Sequence, residues 1–210
     1  YNADFNSQYP SAYTSTQCKI FNKNLKNDLI KIKEERKYLK QKTNLRTALC
    51  VLNKLKITVS EETVHLALKN LVQHTGLFGR LTKVHENPQI YLDVSHNQDG
   101  IEATLKDIRD LTFDTLHLIY GAAKDKNVST ILSLFPEKTN IHLCEFRNNR
   151  SLKLAQLTEI KAKDSRVQSV SSDVNKLLTS LQSSVSPKDL ILVTGSFFLL
   201  SDLDQTIINR

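Results

Sequence analysis

Cysteine is scarce in this chain, and its pattern excludes whole classes of chemistry. Cys18, Cys50 and Cys144 stand far apart in the sequence and are odd in number. No CxxC occurs, so neither a zinc knuckle nor a thioredoxin motif is available. Three reduced thiols in a cytoplasmic protein are expected. Long apolar runs are missing too. The longest, residues 190–194 and 197–200, is interrupted by Gly195 and falls short of the about 20 residues a membrane helix needs. No signal peptide opens the chain. Methionine is absent and Tyr1 comes first. The chain is therefore expected not to be a complete translation product, either truncated or lacking modified methionines in the sequence as written. No GxxxxGK[ST] loop occurs anywhere, and no GxGxxG follows the first strand of the α/β part, which disfavours a nicotinamide cofactor. A GxSxG elbow and a Ser/His/Asp order are missing as well. His65, His74, His85, His117 and His142 show no ligand spacing, and no metal site is expected.

What is present is a 210-residue chain with 40% hydrophobic residues and a formal net charge of +7. That supports a substantial core and favours anionic partners such as nucleotides, polyglutamates or nucleic acid. Much of the charge lies in the first half, where Lys31, Lys33, Arg36, Lys37, Lys40 and Lys42 crowd together. A solvated face accounts for such a run.

The two halves differ in pattern. In the second half, strand-length apolar runs recur at residues 90–94, 116–120, 141–146 and 190–194, with a shorter one at 167–170. Helical spacing fills the intervals at 99–111, 128–135, 152–160 and 173–181, the last capped by Ser172 or Asp173. Strands rich in Ile, Leu and Val alternating with helices predict an α/β fold. It is a Rossmann-like, mainly parallel sheet with helices on both faces and right-handed crossovers. Residues 1–85 depart from this. A hairpin over 17–32, a helix at 45–55 and a second helix capped by Ser60, with Glu61 and Glu62 in its first turn, are too little for an independent core. The expected division is a remnant of a second domain at 1–85 and the α/β domain at 86–210.

Ligands of open α/β sheets bind outside the carboxyl ends of strands, so the residues there are the candidates. Arg80 stands in a glycine-flanked loop, Gly76-Leu77-Phe78-Gly79-Arg80, where a guanidinium can grip phosphate oxygens. Taken alone it reads rather as an ordinary surface arginine after a turn. Asp93 ends the first α/β strand, where a carboxylate can accept ribose hydroxyls or simply cap a turn. His96 and Asn97 precede the helix at 99–111, whose amino end attracts anions. His96 can hold a carboxylate or orient an amine. The second strand leads into Gly121-Ala122-Ala123-Lys124-Asp125-Lys126 and the last into Thr194-Gly195-Ser196-Phe197. Lys124, Asp125 and Lys126 line the same edge or cap the next helix.

These pieces together resemble the C-terminal domain of the folylpolyglutamate synthase/dihydrofolate synthase family, within the Mur ligase superfamily. The matching text is TGLFGR at 75–80, NPQIYLDVSHNQDGI at 87–101, YGAAKDKNV at 120–128 and LVTGSFFLLSDL at 192–203. Upstream, Gln41-Lys42-Thr43-Asn44-Leu45 is similar to the Gln-x-x-Asn segment that opens a helix of the family's central domain. This chain departs from the pattern at Tyr38, where the family usually has glycine, at Lys40, where it has an aromatic residue or His, and at Gln98, where it tends to have proline. The resemblance implies an ATP-dependent ligase that adds L-glutamate to dihydropteroate or tetrahydrofolate through an acyl phosphate. It implies that Asn44 lies near the ATP base, Arg80 at the phosphates and Asp93 at the ribose. It also implies that His96, Asn97 and Ser196 serve the incoming glutamate. The P-loop, the Mg²⁺ ligands and a carbamylated lysine would belong to the chain's own N-terminal ATPase domain, and residues 1–85 would be the tail of that central domain. The fragment would be inactive alone, monomeric and cytoplasmic, with no nucleic-acid or membrane partner. The alternatives are a peptidoglycan Mur ligase, a basic nucleic-acid-binding module with a Rossmann-like body, and a purely structural domain. The Lys-rich run interleaves only Tyr38, too few aromatics for the second of these.

Overall fold

A computed structural model describes residues 42–76, 78–204 and 206 of the chain. The chain divides into two compact units, Tyr1–Leu49 and Cys50–Arg210. The hairpin expected over 17–32 lies outside the described residues. Helix α1 (Lys42–Lys54) covers the helix expected at 45–55. Helix α2 (Glu61–Lys69) starts where Ser60 predicts: its side chain accepts the Thr63 N–H at 3.1 Å, and Glu61 and Glu62 occupy the first turn. This helix buries no residue, and Leu66 on it is half exposed. A short helix, α3 (Leu71–Thr75), follows.

Six strands form one sheet: β1 (Thr82–His85), β2 (Gln89–Leu92), β3 (Leu116–Tyr120), β4 (Asn140–Cys144), β5 (Val167–Ser171) and β6 (Leu190–Thr194). Their spatial order is β1-β2-β6-β3-β4-β5. All neighbours are parallel except β1, which pairs with β2 antiparallel. β3 and β6 are buried along their whole length, as central parallel strands must be when helices cover both faces. The connecting helices are α4 (Gln98–Ile108), α5 (Val128–Leu132), α6 (Leu154–Lys163) and α7 (Val174–Ser184). A last short helix, α8 (Phe197–Ser201), follows β6.

The strand order dictates which face each helix takes. The steps β2 to β3, β3 to β4 and β4 to β5 run in one direction along the sheet, whereas β5 to β6 runs back. Right-handed crossovers then send α4, α5 and α6 to one face and α7 to the other. The core divides accordingly. Ile101 and Ile108 of α4, Ile131 of α5 and Leu157 of α6 pack with Leu118, Tyr120, Leu143 and Leu192. Val174, Leu178 and Leu181 of α7 and Leu199 and Leu200 of α8 pack with Ile119, Cys144, Ile191 and Val193. Adjacent residues of β3 and β6 serve opposite faces, as the two-residue period of a strand requires.

The sequence pattern does not predict β1. Its text, Thr-Lys-Val-His, has a single apolar residue, and only Val84 is buried. β1 is an edge strand held by the β2 backbone, with Thr82 opposite Leu92 and Lys83 opposite Tyr91. That pairing has no signature in hydrophobic alternation. The expected Rossmann-like, mainly parallel sheet is otherwise the observed one, strand for strand.

Candidate functional site at the carboxyl rim of the sheet

The register brings three strand ends together. Leu92 stands beside Val193, and Thr194 beside Tyr120, so the segments after β2, β6 and β3 share one edge. Glycine makes the convergence possible. Gly195 has φ 105°, and a Cβ there would meet the Gly121 carbonyl oxygen at 2.5 Å and the Tyr120 ring at 2.7 Å. The Gly195 N–H and the Thr194 hydroxyl both donate to the Ser95 carbonyl, at 2.9 and 3.0 Å. The turn after β6 is thereby tied to the loop after β2.

Arg80 is exposed at this edge, and its side chain has no hydrogen-bond or ion-pair partner among the described residues. Its backbone is anchored on both sides. The Gly79 carbonyl accepts the Val94 N–H at 2.8 Å. The Leu81 N–H donates to Asp93 Oδ2 at 2.8 Å. The two sequence motifs that carry Arg80 and Asp93 therefore meet in space.

Asp93 sits beneath the rim, not on it. It is 1% exposed, and both carboxylate oxygens accept bonds from inside the chain. Oδ2 takes the Leu81 N–H, and Oδ1 takes the Ser95 N–H at 2.9 Å with the Thr104 hydroxyl at 3.1 Å. Asp93, expected at the ribose, is thus also a structural anchor, holding two backbone N–H groups and one hydroxyl of its own chain.

His96 is exposed, with Nδ1 3.0 Å from the Val94 carbonyl. A carbonyl only accepts, so Nδ1 carries the hydrogen, and Nε2 is left with its lone pair for a ligand in the neutral ring. Asn97 is the N-cap of α4: its Oδ1 accepts the Gly100 N–H at 2.9 Å, and its amide nitrogen is the group left for a ligand. Ser196 is the N-cap of α8, accepting the Phe198 N–H at 3.1 Å. It is buried, yet its hydroxyl hydrogen remains to donate. Asn44 is exposed on α1. It belongs to the other compact unit.

The segment after β3 caps the next helix. Asp125 pairs with Arg150 at 3.3 Å and with Lys126 at 3.4 Å, and the Arg150 hydrogen bonds hold its carboxyl below the usual range. Asn127 is the N-cap of α5. Lys124 is exposed. Cys144 is buried, and burial together with the nearby Asp173 pushes its thiol up to about 12, which leaves no thiolate for nucleophilic work. Burial likewise raises the Tyr120 hydroxyl to about 12. Among the described residues no group of three or more His, Cys, Asp or Glu is placed to hold a metal ion. No helix there is long and apolar enough to cross a membrane.

Two surface clefts, about 370 and 280 Å³, lie at the opposite edge of the sheet. The first is lined by His117, His142 and Asp189, the second by Leu105, Phe113 and Thr139. Neither is lined by any of the rim residues. Ser95 and Thr104 were missed in the sequence. Their only signal is position, two residues after Asp93 and one helical turn after Gly100.

An open α/β sheet of this order, with an arginine loop, a histidine and small residues at its carboxyl rim, has its candidate residues where such sheets bind their ligands. The chain belongs to the family described as Mur ligase, glutamate ligase domain, whose model matches residues 79–197, more than half of the chain. The dihydrofolate synthase/folylpolyglutamate synthase of Buchnera aphidicola subsp. Schizaphis graminum is 29% identical over 138 residues, covering 64% of this chain and 32% of that protein. The Bacillus subtilis protein of the same name is 26% identical over 134 residues, covering 61% and 30%. The chain thus spans about a third of the length of these relatives. Among solved structures, E. coli FolC in complex with ADP superposes with a TM-score of 0.63 at 23% identity, covering 80% of this chain and 40% of that one. The Yersinia pestis bifunctional folylpolyglutamate synthase/dihydrofolate synthase complexed with AMPPNP and Mn ion gives 0.60 at 23% identity, covering 74% and 36%. These two share the fold.

Proposed function

We propose that this chain is the glutamate ligase part of an ATP-dependent amide-forming ligase that adds L-glutamate to dihydropteroate or a folate. In this reading an acyl phosphate forms at the substrate carboxylate, the glutamate amine attacks it, and phosphate leaves. Arg80 reaches the ATP phosphates from its clamped loop, and Asn44 faces the base. His96, with Nε2 outward, and Ser196, with a hydroxyl hydrogen to donate, hold the incoming glutamate beside the amide of Asn97. Asp93 lies at the ribose and also holds the Arg80 loop through the Leu81 N–H. An arginine on a separate domain completes the charge clamp only when the domains close, so phosphoryl transfer waits for substrate.

The observation that carries the reading is the bond from the Leu81 N–H to Asp93 Oδ2. It ties the residue just after the motif text at 75–80 to that at 87–101, on the rim where open α/β sheets bind ligands. The region upstream of the sheet supports a further part of it. On and after α1, Val51, Leu55 and Ile57 are at least half exposed, as is Leu66 on α2. Helices that leave this much apolar surface open suit the tail of a larger domain, here the central ATP-binding one. No Mg²⁺ step is assigned to the residues described, since they offer no ligand cluster. Its ligands would lie in the N-terminal part with the P-loop. We place the enzyme in the cytoplasm as a monomer.

The test is a substrate panel on the longer chain that includes a P-loop. With ATP and L-glutamate, dihydropteroate or tetrahydrofolate should gain one glutamate per ATP consumed. A nucleotide-linked peptide accepted in their place would move the chain to the cell-wall branch of the superfamily. The 210 residues alone should form no product, and robust ligation by them would refute the fragment reading.

A further inference from the structure

The hydrogen bonds under the rim converge on a side chain outside every motif. Thr104, on α4, is 0% exposed. Its hydroxyl lies 3.1 Å from Asp93 Oδ1, 3.1 Å from Ser95 Oγ and 2.9 Å from the Gly100 carbonyl. One hydroxyl has one hydrogen. The Gly100 carbonyl is already the acceptor for the helix bond from residue 104, four positions on. An ionised carboxylate is the stronger acceptor, roughly twice a neutral one. The Thr104 hydrogen therefore goes to Asp93. This leaves Asp93 fixed at Oδ1 by two donors, so that its other oxygen is aimed at the Leu81 N–H.

That aim matters because the loop it holds is not one the chain prefers. Leu81 has φ 51°, a left-handed conformation that a leucine adopts only when its surroundings impose it. On the other side of Arg80, Gly79 has φ 78°, and a Cβ there would come within 2.7 Å of Val94 and 2.8 Å of Leu200. Arg80 thus extends from a backbone fixed at both neighbours, with only its long side chain in solvent.

We infer that Thr104 is a positioning residue for the ligase reaction: through Asp93 and the Leu81 amide it sets the backbone from which Arg80 reaches the phosphates. This rests on the phosphate role proposed for Arg80. Removing the hydroxyl takes one of the two donors from Asp93 Oδ1, which loosens its hold on the Leu81 N–H and lets Arg80 drift. A shift of about 1 Å in a group that meets the transition state costs up to about 10²-fold in rate.

Two measurements test it. In the longer, P-loop-bearing ligase, Thr104→Val should lower kcat about tenfold while KM for glutamate stays within about twofold. Thr104→Ser, which restores the hydroxyl, should recover the rate. Wild-type kcat in Thr104→Val, or no recovery in Thr104→Ser, would overturn the inference. In the 210-residue chain, amide hydrogen exchange at Leu81 should speed up at least about tenfold in Thr104→Val, with Ile119 and Leu143 in the sheet unchanged. Unchanged exchange at Leu81 would overturn the clamp irrespective of any activity. Full activity in Arg80→Ala would instead remove the phosphate role, so the two failures are read separately.

Discussion

A carboxylate at the end of a strand can face a ligand or its own chain, and residue type alone does not choose. Asp93 shows how the choice is made. β1 pairs with β2 up to Thr82 and Leu92, so the next amide, Leu81, arrives beside Asp93 and takes its side chain. The sequence places Asp93 at the rim correctly but says nothing of its direction, because that depends on an edge strand with no apolar pattern. His96, Asn97 and Ser196 are legible as rim residues, yet Asn97 and Ser196 each also cap a helix. A cap uses the acceptor oxygen and leaves the donor. A residue-scale prediction concerns the other end of the sheet. His117 and His142 stack with ring centroids 5.9 Å apart, and His142 Nε2 is buried without a partner among the described residues. Burial, and then the neighbouring His117, hold the His142 pKa down at about 4. The unfolded imidazole titrates near 6.5. The unfolded chain therefore takes up this proton first as pH falls, and stability drops between about pH 6.5 and 4. His142→Gln should flatten that part of the Tm–pH curve, removing a loss of up to about 3 kcal/mol, less where solvent screens the charge. An identical pH dependence in the variant would contradict it.

Elements were legible in proportion to their burial. β3 and β6, buried from end to end, begin and end where the pattern predicts. α7 starts at its expected cap, Asp173, whose Oδ1 accepts the amides of Asn175 and Lys176 at 3.0 and 3.1 Å. Asp173→Ala should cost about 1 kcal/mol of unfolding free energy, measurable in urea. A change under a few tenths would deny that the cap matters. α8 is harder to see. Phe-Phe-Leu-Leu after Gly195 looks like more strand, and only the Ser196 cap and the reversal at Gly195 turn it into a helix. Gly195 is the critical point of this element. Gly195→Ala drives a methyl into the Gly121 carbonyl and the Tyr120 ring, both held by the sheet. A loss of about 2 kcal/mol or more is expected, together with broken packing between α8 and β6. Wild-type stability in that variant would mean that the turn after β6 is not fixed as described.

At the scale of the whole molecule, the alternation of strands and helices reveals the architecture, and the handedness of crossovers reveals which face each helix covers. The order of strands is not written locally. β6 comes last in sequence and sits between β2 and β3 in space, and this placement brings Ser196 beside the Asp93–His96 loop. The family membership and the relatives' names point to folate ligation, but the chain spans only about a third of their length. The activity is proposed for the longer molecule. Its central claim is that Arg80 meets the nucleotide phosphates across a domain boundary. The most direct measurement is glutamate addition to dihydropteroate or tetrahydrofolate at saturating ATP by the P-loop-bearing ligase, wild type against Arg80→Ala. The account predicts a turnover about 10²–10³-fold lower in the variant, with its thermal unfolding unchanged. Equal turnover in the two proteins would contradict it.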